Sequence, residues 1–320
     1  MSKKLADLSQ INEELSGALS LLQERLGDFP VDKSTQGNIA QGTDSLLDRC
    51  ADVVGEDKKT KPVIRVIHHL ACSGGTLISK CISALPGTYL LSEVHPNSSI
   101  HIGAGTPRFS PSDITDLARH ANIPNVEAIA KNIFKNNVDL IDEHLNNLGG
   151  TLVLREHSHS DYCVGKNVQP RSTLISVLEE KYEVLSLVTV RNPVDCYLSM
   201  RHNGWLHFEP TTFDEYCRRY LSFLKQFSSE RIIKYEDFID EPDTHLAKMA
   251  QILELPYTDT FRETFSIFKV TGDSGRGSET IEKKARRGFS KELSQEIVES
   301  EAFQIILERL NYDDDIENSN

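Results

Sequence analysis

Residues Val63 to Lys80 constrain this chain more than any other stretch: Val-Ile-Arg-Val-Ile-His-His-Leu-Ala-Cys-Ser-Gly-Gly-Thr-Leu-Ile-Ser-Lys. The β-branched run Val63 to Ile67 reads as a buried parallel strand. A turn of small residues follows, Ala71 to Thr76. An apolar pattern at helical spacing then begins with Leu77, Ile78, Cys81 and Ile82. Strand, glycine turn and helix together make an anion site. Glycine lets the backbone come close to a ligand, and the unbonded N–H groups and dipole of the helix start favour negative charge. The ligand class this implies is a phosphate, or an ester or anhydride of one. A plain strand-to-helix turn is the competing account of Gly74 and Gly75.

The turn is not a nucleoside-triphosphate loop. That loop needs Gly, four residues, then Gly-Lys-Ser or Gly-Lys-Thr. Here Thr76 follows the glycine pair directly, and Lys80 lies about one helical turn further on. The dinucleotide pattern Gly-x-Gly-x-x-Gly is also missing, and Gly103-Ala104-Gly105 reads as a loop fragment.

The 320 residues suffice for one large domain or two small ones, and the formal net charge is −13. Such acidity argues against nucleic acid and anionic membranes as partners, and an anionic cofactor would need local arginines. No apolar run reaches the length of a membrane span, and the N-terminus lacks a signal-peptide core. Six scattered cysteines without a Cys-x-x-Cys pair suit a reduced, cytoplasmic protein without structural zinc.

Residues 1–30 read as an amphipathic helix with a short heptad-like seam of Leu8, Ile11, Leu15, Ala18 and Leu22. Such a seam either packs on its own domain or pairs two copies into a homo-oligomer. Residues 31–61 are polar and read as a linker, 62–312 as the main domain, and 313–320 as an acidic tail. Within the main domain, strands are expected at Val63–Ile67, Thr88–Ser92, Thr151–Leu154, Leu185–Val190 and Arg231–Lys234. Ser110-Pro111-Ser112-Asp113 marks a helix start, and a long helix runs from Asn125 to Leu148, ended by Gly149-Gly150. Strands alternating with helices predict an α/β fold with a parallel sheet in three layers. Ligands in such folds sit beyond the carboxyl ends of the strands.

Those ends carry the chemistry. The first leads into the glycine turn and the second into Glu93 and His95. The third leads into Arg155-Glu156-His157-Ser158-His159-Ser160-Asp161, the fourth into Arg191-Asn192-Pro193-Val194-Asp195 and the fifth into Tyr235-Glu236-Asp237.

Arg191-Asn192-Pro193-x-Asp195-x-x-x-Ser199 resembles the 3′-phosphate motif of sulfotransferases. Ser73-Gly74-Gly75-Thr76 resembles their 5′-phosphosulfate loop. Lys234-Tyr235-Glu236-Asp237-Phe238 and Asp273 to Ser278 with Arg286-Arg287-Gly288 are similar to later family segments, the last most of all in bacterial members. The resemblance spans Val63 to Leu310. It implies the P-loop-like sulfotransferase fold and 3′-phosphoadenosine 5′-phosphosulfate as sulfuryl donor, with no metal. The acceptor it implies is a hydroxyl or amine of a small molecule or carbohydrate. The donor-binding set it implies is Cys72, Ser73, Gly74, Gly75, Thr76, Leu77, Arg191, Ser199, Arg286, Arg287 and Gly288.

Two positions depart from the family pattern. Cys72 stands where a lysine or arginine is common, and Leu77 where a tryptophan often follows the loop. Arg155 or His69 is the neighbouring group able to supply the charge that Cys72 lacks. The implied base is His157 or His159 after the third strand, or Glu93 near the second. His157 is preferred because a histidine titrates near neutral pH. His157-x-His159 with Asp161 as a metal site is the lesser alternative, since such a site needs three well-placed ligands. His68-His69 reads as a structural pair, Tyr235-Glu236-Asp237 as architecture, and Trp205 and Phe208 as core in preference to acceptor pocket. A nucleotide-dependent kinase and a non-catalytic binding protein on the same scaffold are the competing functions.

Overall fold

The computed structural model describes residues 61–98, 112–271, 280–283 and 285–313. The chain divides into two compact units at Thr60/Lys61, and every described residue belongs to the second. The expected N-terminal helix and linker, the Gly103-Ala104-Gly105 fragment, Ser110-Pro111, Asp273 to Ser278 and nearly all of the acidic tail lie outside the described residues.

The strands are β1 Val63–His69, β2 Thr88–Val94, β3 Thr151–Glu156, β4 Val164–Gly165, β5 Glu183–Val190, β6 His207–Phe208 and β7 Ile232–Lys234. The helices are α1 Gly75–Ser83, α2 Ile114–His120, α3 Val126–Asn147, α4 His159–Tyr162, α5 Thr173–Leu178, α6 Pro193–Asn203, α7 Phe213–Leu224, α8 Tyr235–Asp240, α9 Pro242–Ile252, α10 Phe261–Thr264, α11 Lys291–Glu299 and α12 Glu301–Leu310. Five strands form one parallel sheet in the order β2-β3-β1-β5-β7. The fold is α/β, as expected. β4 and β6 pair separately as a short parallel ribbon, too brief for any sequence periodicity to reveal.

The alternation of strand side chains builds the two covering layers. Ile64 and Val66 of β1, with Leu152 and Leu154 of β3, pack under Val138 and Leu145 of α3 and Leu174 and Leu178 of α5. Ile67, Val153 and Leu187 point the other way, onto Leu77, Ile78, Cys81 and Ile82 of α1, with Phe238 of α8 and Leu246 and Met249 of α9. The predicted apolar stripe of α1 is therefore the buried one.

Several boundaries differ from expectation; β1 runs on to His69 and β5 begins at Glu183. β3 continues to Glu156 because its pairing continues, with Arg155 opposite Ile67 and Glu156 opposite Val94, so Arg155 and Glu156 belong to the strand itself. β2 runs to Val94 through a register shift after Leu91, where Glu93 takes φ +60°. α2 starts at Ile114 under an Asp113 cap, whose carboxylate accepts the Asp116 N–H. α3 closely follows the expected range and stops before Gly149 at φ +73°.

Candidate anion-binding site

The strand order places a switch point beside β1. The connection from β1 leads to one side of the sheet, toward β2, and that from β5 leads to the other, toward β7. Connections that diverge this way leave a crevice at the carboxyl ends of the two strands. The glycine turn follows β1 there, and Arg191-Asn192-Pro193 follows β5.

In the turn, Cys72 has φ +66° and Gly74 φ +85°. Gly74 precedes α1 without a side-chain cap, and no acidic residue sits in the first turn. The first N–H groups of α1 thus face the crevice side without an internal competitor. The Ser73 side chain is 1% exposed and its Oγ has no hydrogen-bond partner among the described residues. A buried hydroxyl left over in this way is what an incoming ligand oxygen satisfies.

The glycines have a second role that the sequence did not disclose. A Cβ on Gly74 would lie 2.1 Å from the Tyr235 ring, and one on Gly75 would lie 2.7 Å from His69 Nδ1. Both are needed because aromatic rings lie on the turn. Tyr235 also sits under Arg191, whose guanidinium carbon is 5.1 Å from the ring centre. Glu236 accepts the Asn192 N–H at 2.9 Å and the Tyr312 hydroxyl at 2.9 Å. The Tyr-Glu pair is thus architecture, as expected, but architecture that holds the Arg191 turn.

Two arginines converge on the glycine turn. Arg191 Nη1 donates to the Cys72 carbonyl at 3.5 Å. Arg155, on the α1 face of β3, donates from Nη2 to Thr76 Oγ1 at 3.4 Å. Its Nε donates to His69 Nε2 at 2.6 Å and its Nη1 to Ser92 Oγ at 2.9 Å, while Glu93 Oε1 lies 2.7 Å from Nη2. His69 Nδ1 donates to the Leu70 carbonyl at 3.0 Å, so its Nε2 is the acceptor. Burial, reinforced by the Arg155 charge, keeps His69 well below the usual histidine range and hence neutral. Of the two groups proposed to replace the charge lacking at Cys72, Arg155 reaches the turn as a cation and His69 as its neutral acceptor.

The three candidate bases separate clearly. Glu93 is pushed up by burial, with Arg155 opposing that rise. His157 Nε2 lies 3.9 Å from Glu93 Oε2, and its Nδ1 is 3.4 Å from Ser160 Oγ. His159 is buried, faces His207 Nδ1 at 3.1 Å, and is driven down to about 3 by burial and then by its histidine neighbours. Burial at His159 thus works against the charged form that a base in this place takes on. Asp161, the third member of the metal alternative, is committed to His95 Nε2 and to both the N–H and hydroxyl of Thr173.

Leu77 does not face the crevice: it is buried against the α1-side core. Trp205 packs partly against the other core cluster, and Phe208 is fully buried with Arg219 over its ring. Ser199 lies half-buried on α6, one turn beyond Asp195. Arg286 reaches the start of α6, its Nε 3.1 Å from Asp195 Oδ1. Arg287 and Gly288 are exposed, with open space around Gly288.

No protein-family model matches the chain. No curated protein matches it either. Solved sulfotransferases do resemble it. The sulfotransferase domain from the curacin biosynthetic pathway is 16% identical at a TM-score of 0.49, over 79% of this chain and 99% of that one. The sulfotransferase domain of the Synechococcus PCC 7002 olefin synthase is 16% identical at 0.43, over 68% and 83%. Mouse sulfotransferase SULT7A1, solved with PAP, is 14% identical at 0.39, over 79% and 86%. At these identities and scores neither the activity nor the ligands of those proteins carry over to this chain. No helix among the described residues is long and apolar enough to cross a membrane.

Proposed function

We propose that the crevice between β1 and β5 binds 3′-phosphoadenosine 5′-phosphosulfate and that the protein moves its sulfuryl group to a hydroxyl or amine of a small-molecule or carbohydrate acceptor. The observation that carries this reading is the convergence of Arg155 and Arg191 on one uncapped helix start, Arg155 at Thr76 Oγ1 and Arg191 at the Cys72 carbonyl. Two guanidiniums at an uncapped helix N-terminus suit a ligand carrying two separated anionic groups. In a protein of net charge −13, such local cations must overcome the global field.

The donor supplies an activated sulfur–oxygen bond whose leaving oxygen gathers negative charge. The chain supplies the rest. Ser73 Oγ and the first N–H groups of α1 hold the 5′ end, and Arg191 with Ser199 and Arg286 the 3′-phosphate. Arg155, pre-aligned by His69, Ser92 and Glu93, offers charge where it develops. His157 is the proton acceptor, with Glu93 at 3.9 Å to stabilise the charge it gains. The buried thiols Cys81, Cys163, Cys196 and Cys217 suit a reduced, cytoplasmic setting.

Label transfer tests the activity. A sulfur-labelled donor is incubated with simple alcohols, phenols, amines and sugars. Transfer that falls by about 100-fold or more in His157→Asn, the usual scale for losing a general base, supports the reading. Donor binding without transfer to any acceptor supports the non-catalytic alternative.

A further inference from the structure

The site uses Arg155 and His157 but not the residue between them. Glu156 is 0% exposed and points to the sheet face opposite α1. Its Oε2 accepts from His68 Nδ1 at 2.6 Å and from Ser158 Oγ at 2.7 Å, and its Oε1 accepts from Ser172 Oγ. His68 Nε2 continues to Ser186 Oγ at 3.1 Å, and Phe227 covers the His68 ring. Ser172 also caps α5 by accepting the Ile175 N–H. The carboxylate and His68 together thus join β1, β3 and β5, the three strands whose ends carry the glycine turn, Arg155 with His157, and Arg191.

We infer that Glu156 and His68 form a positioning pair: anchored on the closed face of the sheet, they set where Arg155 and His157 stand on the open face. The reason is the strand period of two. A residue fixed at position 156 by three side-chain donors fixes the backbone on both sides of it; Arg155 then projects the opposite way, and His157, just past the strand end, joins it against Glu93. A buried carboxylate with its three donors in place tolerates no rotation, because any turn would strand it or its donors. Among the described residues, none of the side chains bonded to Glu156 hydrogen-bonds to the glycine turn or to Arg191, so the pair acts through its neighbours. The assignment of a donor-binding role to Arg155 rests on the function proposed above; the positioning itself does not.

The test reads a residue that Glu156 does not touch. Nitrogen NMR of His69 in the full chain should show a single tautomer, Nδ1–H, because Arg155 donates to its Nε2. In Glu156→Gln, which keeps the shape but loses the charge, the His69 signals should shift toward a tautomer mixture. The preference for 3′-phosphoadenosine 5′-phosphosulfate over 3′-phosphoadenosine 5′-phosphate should fall by about tenfold, the scale of one weakened charge-assisted contact. Arg155→Ala should lose the same preference, and adding Glu156→Gln to it should cost nothing more. A folded Glu156→Gln with unchanged His69 signals and unchanged preference would overturn the inference and leave the pair a stability element. Should Glu156→Gln not fold, Ser158→Ala keeps the charge and removes one donor; it should move the His69 signals in the same direction, and unmoved signals overturn the inference equally. If the wild-type chain binds neither nucleotide, the donor reading fails, while the His69 signals still decide the positioning.

Discussion

His68 and His69 are adjacent, yet the two faces of the sheet give them opposite surroundings. On the closed face, His68 meets Glu156 and Ser186 while Ser158 and Ser172 donate to Glu156, and the pair is sealed from water. On the open face, His69 meets Arg155 and, more distantly, Glu93, whose side chain remains 21% exposed beside the glycine turn. Both clusters place a carboxyl and a histidine at the rim, and the open one adds Arg155. Burial lifts both carboxyls. At Glu156 the His68 charge and the surrounding donors outweigh it and hold the group below the usual carboxylate range; at Glu93 it prevails over Arg155. Where every partner is internal, polar residues serve structure. Where Ser73 Oγ lacks a partner among the described residues and two arginines converge, hydrogen-bonding capacity is left over.

The largest effect should come from breaking the closed face. Glu156→Ala leaves His68, Ser158 and Ser172 without their acceptor and is expected to cost about 3–5 kcal/mol, read from the denaturant midpoint. Arg155→Ala should cost less than half of that, because Glu93 can be rehydrated. Equal losses would erase the distinction between the faces. Next in size is Gly74→Ala, at about 1–3 kcal/mol, for a side chain at φ +85° directed into the Tyr235 ring. The cost should shrink in a Tyr235→Ala background, and an unchanged cost would show that the ring is not the obstacle.

The two carboxyls should also tilt stability against pH in opposite directions. Glu156, depressed in the folded state, adds stability that is present above about pH 4.3 and lost as pH falls through its lower folded value. Glu93, raised in the folded state, binds its proton more tightly there, so stability falls as pH rises from about 4.3 through its folded value. Melting curves across pH should therefore show a shallower acid limb in Glu156→Gln and a gain above pH ~5 in Glu93→Gln. Slopes of the same sign would contradict the assignment. The smallest effect should be that of Arg287→Ala. Exposed as it is, the residue should change stability by no more than about 0.5 kcal/mol and leave nucleotide binding intact, whereas Arg286→Ala should weaken binding through the loss of its place beside Asp195.

Much of the sheet was legible because β-branched runs such as Val63 to Ile67 and Leu185 to Val190 have no other stable use than buried parallel strands. The glycine turn and the Arg191 turn were legible as a pair, since strand ends in such folds are where ligands sit. Other features depend on pairing that no local pattern encodes. β3 reaches Glu156 only because its neighbours continue alongside it. Glu93 turns toward Arg155 through a register shift and a positive φ, which a polar residue in a short strand does not announce. Tyr235 covers Gly74 across the sheet, and Arg286 meets Asp195 from 91 positions away. Leu77 follows the glycine turn in a motif position, but its side chain joins the helical apolar stripe in the core. His159 lies only two residues from the preferred His157, and its burial against His207 is nothing that spacing encodes.

Thermal stabilisation by nucleotides tests the central claim most directly, since a ligand that binds only the folded chain raises its melting temperature. 3′-phosphoadenosine 5′-phosphate should raise the melting temperature of the full chain, ATP with magnesium should not, and Arg191→Ala should abolish the shift. Stabilisation by ATP alone, or a 3′-phosphoadenosine 5′-phosphate shift that survives Arg191→Ala, would contradict the placement of a phosphosulfate donor between β1 and β5.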